Sequence, residues 1–134
     1  MSMNETIAVL RENHIPATPQ RIAVAEFVLQ TKLHPTADQV LEEVRKSCPT
    51  ISRGTVYNTL NLLVDKGLLR AKILKPGTTT FDPNVAEHHH FIDEETGEIL
   101  DIPWDAISVS GHAALDGLTV SKYQVILEGK RKGA

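Results

Sequence analysis

Three consecutive histidines, His88, His89 and His90, make up half of the six in the chain and lie inside it, between Glu87 and Phe91. On an extended strand, side chains alternate between faces, so His88 and His90 share one face and His89 points to the other. If Ile92 pairs with Ile99 across the loop-rich Asp93-Glu94-Glu95-Thr96-Gly97, His90 falls opposite Asp101, and His88, His90 and Asp101 lie on one face. Neutral imidazoles and a carboxylate oxygen are metal donors. Two further candidates stand upstream: His34, at the start of a helix, and Asp82, at the end of a hairpin. Read singly, His34 before Pro35 is more often a loop residue, and Asp82 before Pro83 a turn former. Together, three nitrogens and two carboxylates without thiolate suit Fe(II), Mn(II) or Zn(II), whereas affinity alone would favour Cu or Zn. His14, His112 and Cys48 are read as bystanders, and Cys48-Pro49, formally a haem-binding dipeptide, as a linker.

These donors need elements to position them. Residues 4–13 have a short helical pattern around Ile7 and Leu10. Thr18-Pro19 is a capping hydroxyl with proline at the first helical position, and Ile22, Ala25, Val28 and Leu29 recur at helical spacing, which predicts a helix ending near Thr31. Thr36-Ala37-Asp38-Gln39 is a capping box ahead of Val40, Leu41 and Val44, so a third helix runs to about Lys46. Ser52 caps a fourth, with Ile51 and Val56 as a hydrophobic staple, an apolar face of Val56, Leu60 and Leu63, and Gly67 as its stop. Its other face carries Gly54, Tyr57, Asn58 and Asn61, with Arg53 and Thr55 on the flank: donors, acceptors and small groups of the kind a DNA major groove takes. A solvated helix surface is the alternative for that face. Residues 68–74 and 78–82 read as strands joined by Lys75-Pro76-Gly77. Helix, turn, helix and hairpin make a winged helix-turn-helix.

The second half differs. Residues 88–92 and 98–102 read as short strands, 104–115 as a short helix that Gly111 weakens, and 120–127 as a strand ahead of the basic tail. A three-stranded sheet with one helix buries too little surface to be stable alone, and pairing with a second copy would remedy that. The expected fold is α+β: a winged helix-turn-helix DNA-binding domain over residues 1–83 and a small α/β dimerisation and metal-sensing domain over 84–134.

Charge divides the same way. Residues 1–83 carry 10 Lys and Arg against 8 Asp and Glu, and 84–134 carry 4 against 9. The most basic stretch, Arg53 with Lys66, Arg70, Lys72 and Lys75 against Asp65 alone, suits a phosphate backbone. At 41% hydrophobic the composition is that of an ordinary globular protein, and no window approaches the roughly 20 apolar residues of a membrane span. The start, MSMNETIAVLRENH, has no basic stretch followed by an apolar core, so a cytoplasmic location and no membrane partner are expected. One cysteine forms neither an intrachain disulfide nor a Cys-rich zinc site. No substrate pocket, nucleophile or Gly-rich phosphate loop is in view, which argues against an enzyme.

The residues resemble the ferric uptake regulator (Fur) superfamily of metal-responsive repressors. Thr18-Pro19-Gln20-Arg21, His34-Pro35-Thr36-Ala37-Asp38, Thr55-Val56-Tyr57-Asn58-Thr59-Leu60, Gly67-Leu68-Leu69, Phe81-Asp82 and His88-His89-His90-Phe91 stand in the family's order and approximate spacing. The resemblance implies that the helix after Ser52 is the recognition helix, with Tyr57 contacting bases, and that homodimers bind inverted repeats in double-stranded DNA. With Arg21 of the first match, the DNA-binding candidates are Arg21, Arg53, Thr55, Tyr57, Asn58 and Asn61. It assigns the regulatory Fe(II) or Mn(II), with Zn(II) at the same place as an option, to His34, Asp82, His88, His90 and Asp101.

Aspartate at position 101 is similar to the peroxide-responsive (PerR) branch, which favours an oxidant sensor; with Fe(II) in this thiol-free site, peroxide is expected to oxidise a ligating histidine. The triplet and the acidic hairpin look like the iron response regulators (Irr), whose triplet is associated with haem; on that alternative His88, His89 and His90 bind haem. The family's Cys-x-x-Cys zinc motif falls on Asp93-Glu94-Glu95-Thr96, so no structural zinc held by four cysteines is expected. A second accessory site has Glu87 and His89, but the downstream histidine it needs falls near Ser121.

Overall fold

In the computed structural model, which describes all residues except His112 and Ala134, each helix begins where a side chain satisfies the open backbone donors of its first turn. Helix α1 (Met3–Glu12) is capped by Ser2, which accepts from the Glu5 amide while the Glu5 side chain returns to the Ser2 amide. Helix α2 (Pro19–Val28) has Thr18 as its cap and proline at its first position. Helix α3 (Ala37–Val44) starts with the Thr36 and Gln39 capping box, at 3.2 and 2.9 Å. Helix α4 (Arg53–Asp65) has the Ser52 hydroxyl accepting from the Thr55 amide at 3.1 Å. Gly67, at φ +74°, ends it in the left-handed conformation that favours glycine. Strands β1 (Arg70–Lys75) and β2 (Thr78–Asp82) then form an antiparallel hairpin, with Gly77 at φ +73° in its turn.

The chain divides into two compact units, Met1–Val85 and Ala86–Ala134. In the first, Leu10, Val24, Val28, Val40, Val56, Leu60 and Leu63 are fully buried or nearly so in one core, with Ile51 and Phe81 in the same cluster. The apolar stripes of all four helices meet there, so the opposite face of α4 is left outside. Helices α2 and α3 end at Val28 and Val44, a turn or less short of the expected Thr31 and Lys46, and β1 starts at Arg70 rather than at 68. Leu68 and Leu69 complete the α4 stop instead, both amides donating to the Leu63 carbonyl at 2.9 and 3.3 Å.

The second unit is a three-stranded sheet in the order β4-β3-β5, built from β3 (His88–Asp93), β4 (Ile99–Pro103) and β5 (Ile126–Gly129). Strands β3 and β4 pair antiparallel with Ile92 opposite Ile99 and His90 opposite Asp101, the register read from the sequence. Strand β5 is parallel to β3, with His90 opposite Ile126.

Two expectations fail here. The helix expected over 104–115 is replaced by two isolated 3₁₀ turns, Trp104–Ala106 and Ala113–Leu115. Ile107, Ser108, Val109, Ser110 and Gly111 are poor helix formers in sequence, and among residues 107–111 none is buried, so no packed face compensates. The last strand begins at Ile126 rather than at 120, and residues 121–125 lie outside regular structure. The Val125 amide is taken by a histidine ring rather than by a ladder partner. The reading of His112 as a bystander lies outside the described residues.

Candidate metal centre and outward face of helix α4

In the first unit, His34 and Asp82 meet. His34 Nε2 is 3.0 Å from Asp82 Oδ2, and both side chains are buried. The turn ahead of α3 and the end of β2 are fastened to one another by the Phe81 amide donating to the Pro35 carbonyl at 2.9 Å and by a bridge between Thr36 and Thr80. His34 sits at φ +52°, a conformation uncommon for a residue with a Cβ, and this fastening holds it there. Asp82 is oriented by the Asn84 amide, which donates to Oδ1 at 2.9 Å and leaves Oδ2 directed at the imidazole.

In the second unit, alternation along β3 does what the sequence implied. His88 and His90 lie on one face with ring centroids 4.5 Å apart, and Asp101 of β4 reaches both, its Oδ1 lying 3.2 Å from His88 Nε2 and 3.7 Å from His90 Nε2. His88 Nδ1 is 2.6 Å from the Ala86 carbonyl, and a carbonyl only accepts, so Nδ1 carries the proton of the neutral ring. In the neutral ring, Nε2 is then the acceptor that faces a carboxylate oxygen. Two acceptors at 3.2 Å repel unless a proton or a metal cation lies between them, and a backbone carbonyl holding the far nitrogen is the usual support of a ligating histidine. The donor set fits a divalent cation on this chemistry. His90 is 1% exposed and His88 7%, whereas the Asp101 side chain keeps 32%, so the carboxylate stands on the solvent side.

His89 belongs to a different environment. It is fully buried, its ring stacked on Trp104 at 4.5 Å and 15°, and its Nδ1 accepts from the Val125 amide at 2.9 Å. The triplet is therefore split between the two faces of the sheet.

On α4, the other candidate surface is placed by the same periodicity that buries Val56, Leu60 and Leu63. Arg53, Gly54, Tyr57, Asn58 and Asn61 are exposed and Thr55 is half-buried. A concavity of about 470 Å³ between the first turn of α3, α4 and the hairpin turn is lined by Asp38, Tyr57, Asn61, Gly77, Thr78 and Thr79, among others. Arg53 forms an ion pair with Asp38 across the helix–turn–helix. Arg21, half-buried on α2, donates to the Pro16 carbonyl at 3.2 Å.

Sequence reading missed what steadies these groups. The Ala86 carbonyl behind His88, the Asp38–Arg53 pair and an ion pair between Arg131 and Asp93 carry no motif. Only the Asp93 turn left a signal, an Asx-type start followed by Thr96-Gly97.

A sequence model described as the ferric uptake regulator family matches residues 12–128. A peroxide-responsive repressor PerR of Staphylococcus aureus is 33% identical over 106 residues, covering 79% of this chain and 72% of that protein. Among solved structures, the Campylobacter jejuni peroxide stress regulator superposes with a TM-score of 0.62 at 27% identity, covering 93% of this chain and 95% of the other. A zinc-bound manganese uptake regulator gives a TM-score of 0.73 at 23% identity over 98% and 99%, and this likeness concerns the fold. The chain thus belongs to the ferric uptake regulator family, whose members are metal-dependent transcriptional regulators and not enzymes.

Proposed function

We propose that the chain is a cytoplasmic repressor that binds double-stranded DNA as a homodimer when Fe(II) or Mn(II) is bound, and that peroxide releases it. The observation that carries this reading is the placing of His88 Nε2 3.2 Å from the Asp101 carboxylate, with the far nitrogen held by the Ala86 carbonyl. The ligands are His34, Asp82, His88, His90 and Asp101. Each half-site alone supplies two or three donors, fewer than Fe(II) or Mn(II) generally takes. If the ion binds the DNA-competent arrangement more tightly than the alternative, DNA must raise metal affinity by the same factor, typically worth roughly 1–3 kcal/mol. On α4, Arg53, Thr55, Tyr57, Asn58 and Asn61 meet base edges and phosphates, with Arg21 on the backbone. Family members bind DNA and are usually dimers, which supports an inverted-repeat operator.

With Fe(II) bound to activate it, hydrogen peroxide would pass one oxygen atom to a ligating imidazole, which gives up two electrons, and the other oxygen would leave as water. The chain's part is to place oxidisable imidazoles, with no thiolate among them, in that position. An imidazole that gains one oxygen atom no longer donates as before, and the site is weakened irreversibly. Iron-loaded protein treated with peroxide should gain 16 Da on His34 or His88, and an unmodified protein would refute the peroxide step.

The decisive test is DNA binding by the metal-free, Mn(II), Fe(II) and haem forms side by side on an inverted-repeat duplex. Tight binding by the Mn(II) and Fe(II) forms alone is expected. Equal binding by the metal-free form would overturn metal dependence. A Soret shift lost on replacing His88, His89 and His90 together would transfer the sensing role to haem.

A further inference from the structure

Strand β5 is four residues long, is nowhere fully buried, and follows a stretch, 107–125, whose only regular element among the described residues is the 3₁₀ turn Ala113–Leu115. A short parallel edge strand returning on such a tether is marginal by its ladder alone. The residues beyond it supply what the ladder lacks. Arg131 Nη1 lies 2.5 Å from Asp93 Oδ2 and its Nη2 lies 3.0 Å from Glu98 Oε2, so one guanidinium joins the end of β3 to the residue just before β4. Lys130 Nζ, 3.6 Å from Glu95 Oε1, adds a looser contact to the same turn.

Asp93 is the centre of this arrangement. Its side chain is 3% exposed, and while Oδ2 takes Arg131, Oδ1 accepts from the amides of Glu95 and Thr96 at 2.9 and 3.2 Å. Its backbone closes the same turn, donating to the Glu98 carbonyl at 2.9 Å and accepting from the Gly97 amide at 2.8 Å. The next amide, Glu94, donates to the Gly129 carbonyl at the end of β5, at 2.8 Å. All three strands are therefore tied at one buried carboxylate, whose charge needs the guanidinium once it is out of water.

We propose that Arg131 is a positioning residue for the metal-ligand strand. By fastening the C-terminal strand to the β3–β4 turn through Asp93 and Glu98, it keeps β3 paired on both sides, so that His88 and His90 stay in register with Asp101. The consequence for the metal rests on the function proposed above; the fastening itself does not, because it contains no metal ligand and operates in the metal-free protein.

The test uses the full chain in chelator and follows amide hydrogen exchange at Glu94 and Ile126–Gly129. In Arg131→Met these amides should exchange at least tenfold faster than in the parent chain, with an intermediate effect in Arg131→Lys, which reaches Asp93 but cannot fork to Glu98. Glu98→Gln removes only the exposed arm and serves where the Met variant does not fold; it should shift the same amides in the same direction, by less. Mn(II) affinity, measured on the same samples, should fall at least threefold in Arg131→Met and recover in part in Arg131→Lys. Exchange at Ile126–Gly129 within a factor of two of the parent would overturn the fastening. Faster exchange with unchanged Mn(II) affinity would overturn the positioning role. A parent chain that binds no Mn(II) would refute the metal reading, leaving the exchange result to judge the fastening by itself.

Discussion

Replacing Asp101 by asparagine should move two observables in opposite directions. His88 donates through Nδ1 to the Ala86 carbonyl at 2.6 Å, and its Nε2 lies 3.2 Å from Asp101 Oδ1, a contact that needs a proton or a cation between the two atoms. In metal-free protein with the ring neutral, an amide nitrogen in place of that oxygen donates to Nε2 and replaces that requirement with a neutral hydrogen bond. A typical net value is about 1 kcal/mol, and the side chain's 32% exposure lowers it to about 0.5–1 kcal/mol. For a chain of this size that corresponds to a rise in Tm of about 2–4 °C. The same change removes an anionic donor, so Mn(II) affinity should fall at least tenfold, roughly 1.4 kcal/mol. Thermal melting in chelator and Mn(II) titration followed by electron paramagnetic resonance read the two effects. A metal-free Asp101→Asn protein melting several degrees below the parent would refute the neutral Nδ1–H form of His88, and one binding Mn(II) as tightly would refute Asp101 as a ligand.

Tyr57→Ala, on the exposed face of α4, should leave Tm nearly unchanged and weaken DNA binding by about 1–3 kcal/mol, as read by fluorescence anisotropy. Leu60→Ala, from the fully buried face of the same helix, should instead cost about 2–5 kcal/mol of stability by urea unfolding. Operator affinity should drop steeply between about 50 and 200 mM salt, because Lys and Arg side chains displace counterions from phosphates; a flat response would remove the DNA assignment of the basic hairpin. Burial raises the Asp93 carboxyl, but the Glu95 and Thr96 amides and Arg131 outweigh it and hold it below its ordinary value. Its contribution is thus complete above the unfolded carboxyl value of about 3.9 and is lost as pH falls through the lower folded one. Melting between about pH 5 and pH 2 should show a steeper loss in the parent than in Asp93→Asn.

Much of the architecture was legible because it is written in local chemistry. Thr18, Thr36 and Ser52 cap helices wherever the next residues are helical, Gly67 and Gly77 adopt positive φ, and the stripe of Val56, Leu60 and Leu63 leaves Tyr57, Asn58 and Asn61 no place but outside. The shared face of His88, His90 and Asp101 was legible for a related reason: a period of two and an Ile92–Ile99 pair leave one register, and that register places His90 opposite Asp101. The segment 104–115 was misjudged because its helical pattern has no core to meet, and the last strand because its start depends on a ring 36 residues away that takes the Val125 amide.

From residue order alone came most of the elements, their caps and turns, and the pairing of β3 with β4; all of these follow from contacts within a few residues or across a short hairpin. Only the tertiary structure decided that His89 turns inward onto Trp104, that the Ala86 carbonyl fixes the tautomer of His88, that β5 runs parallel to β3, and that Arg131 closes on Asp93 from 38 positions away. Those outcomes depend on which backbone groups are left without partners once the strands have paired. A burial that strands a polar atom is settled by whatever the completed fold brings to it, and no local spacing records that.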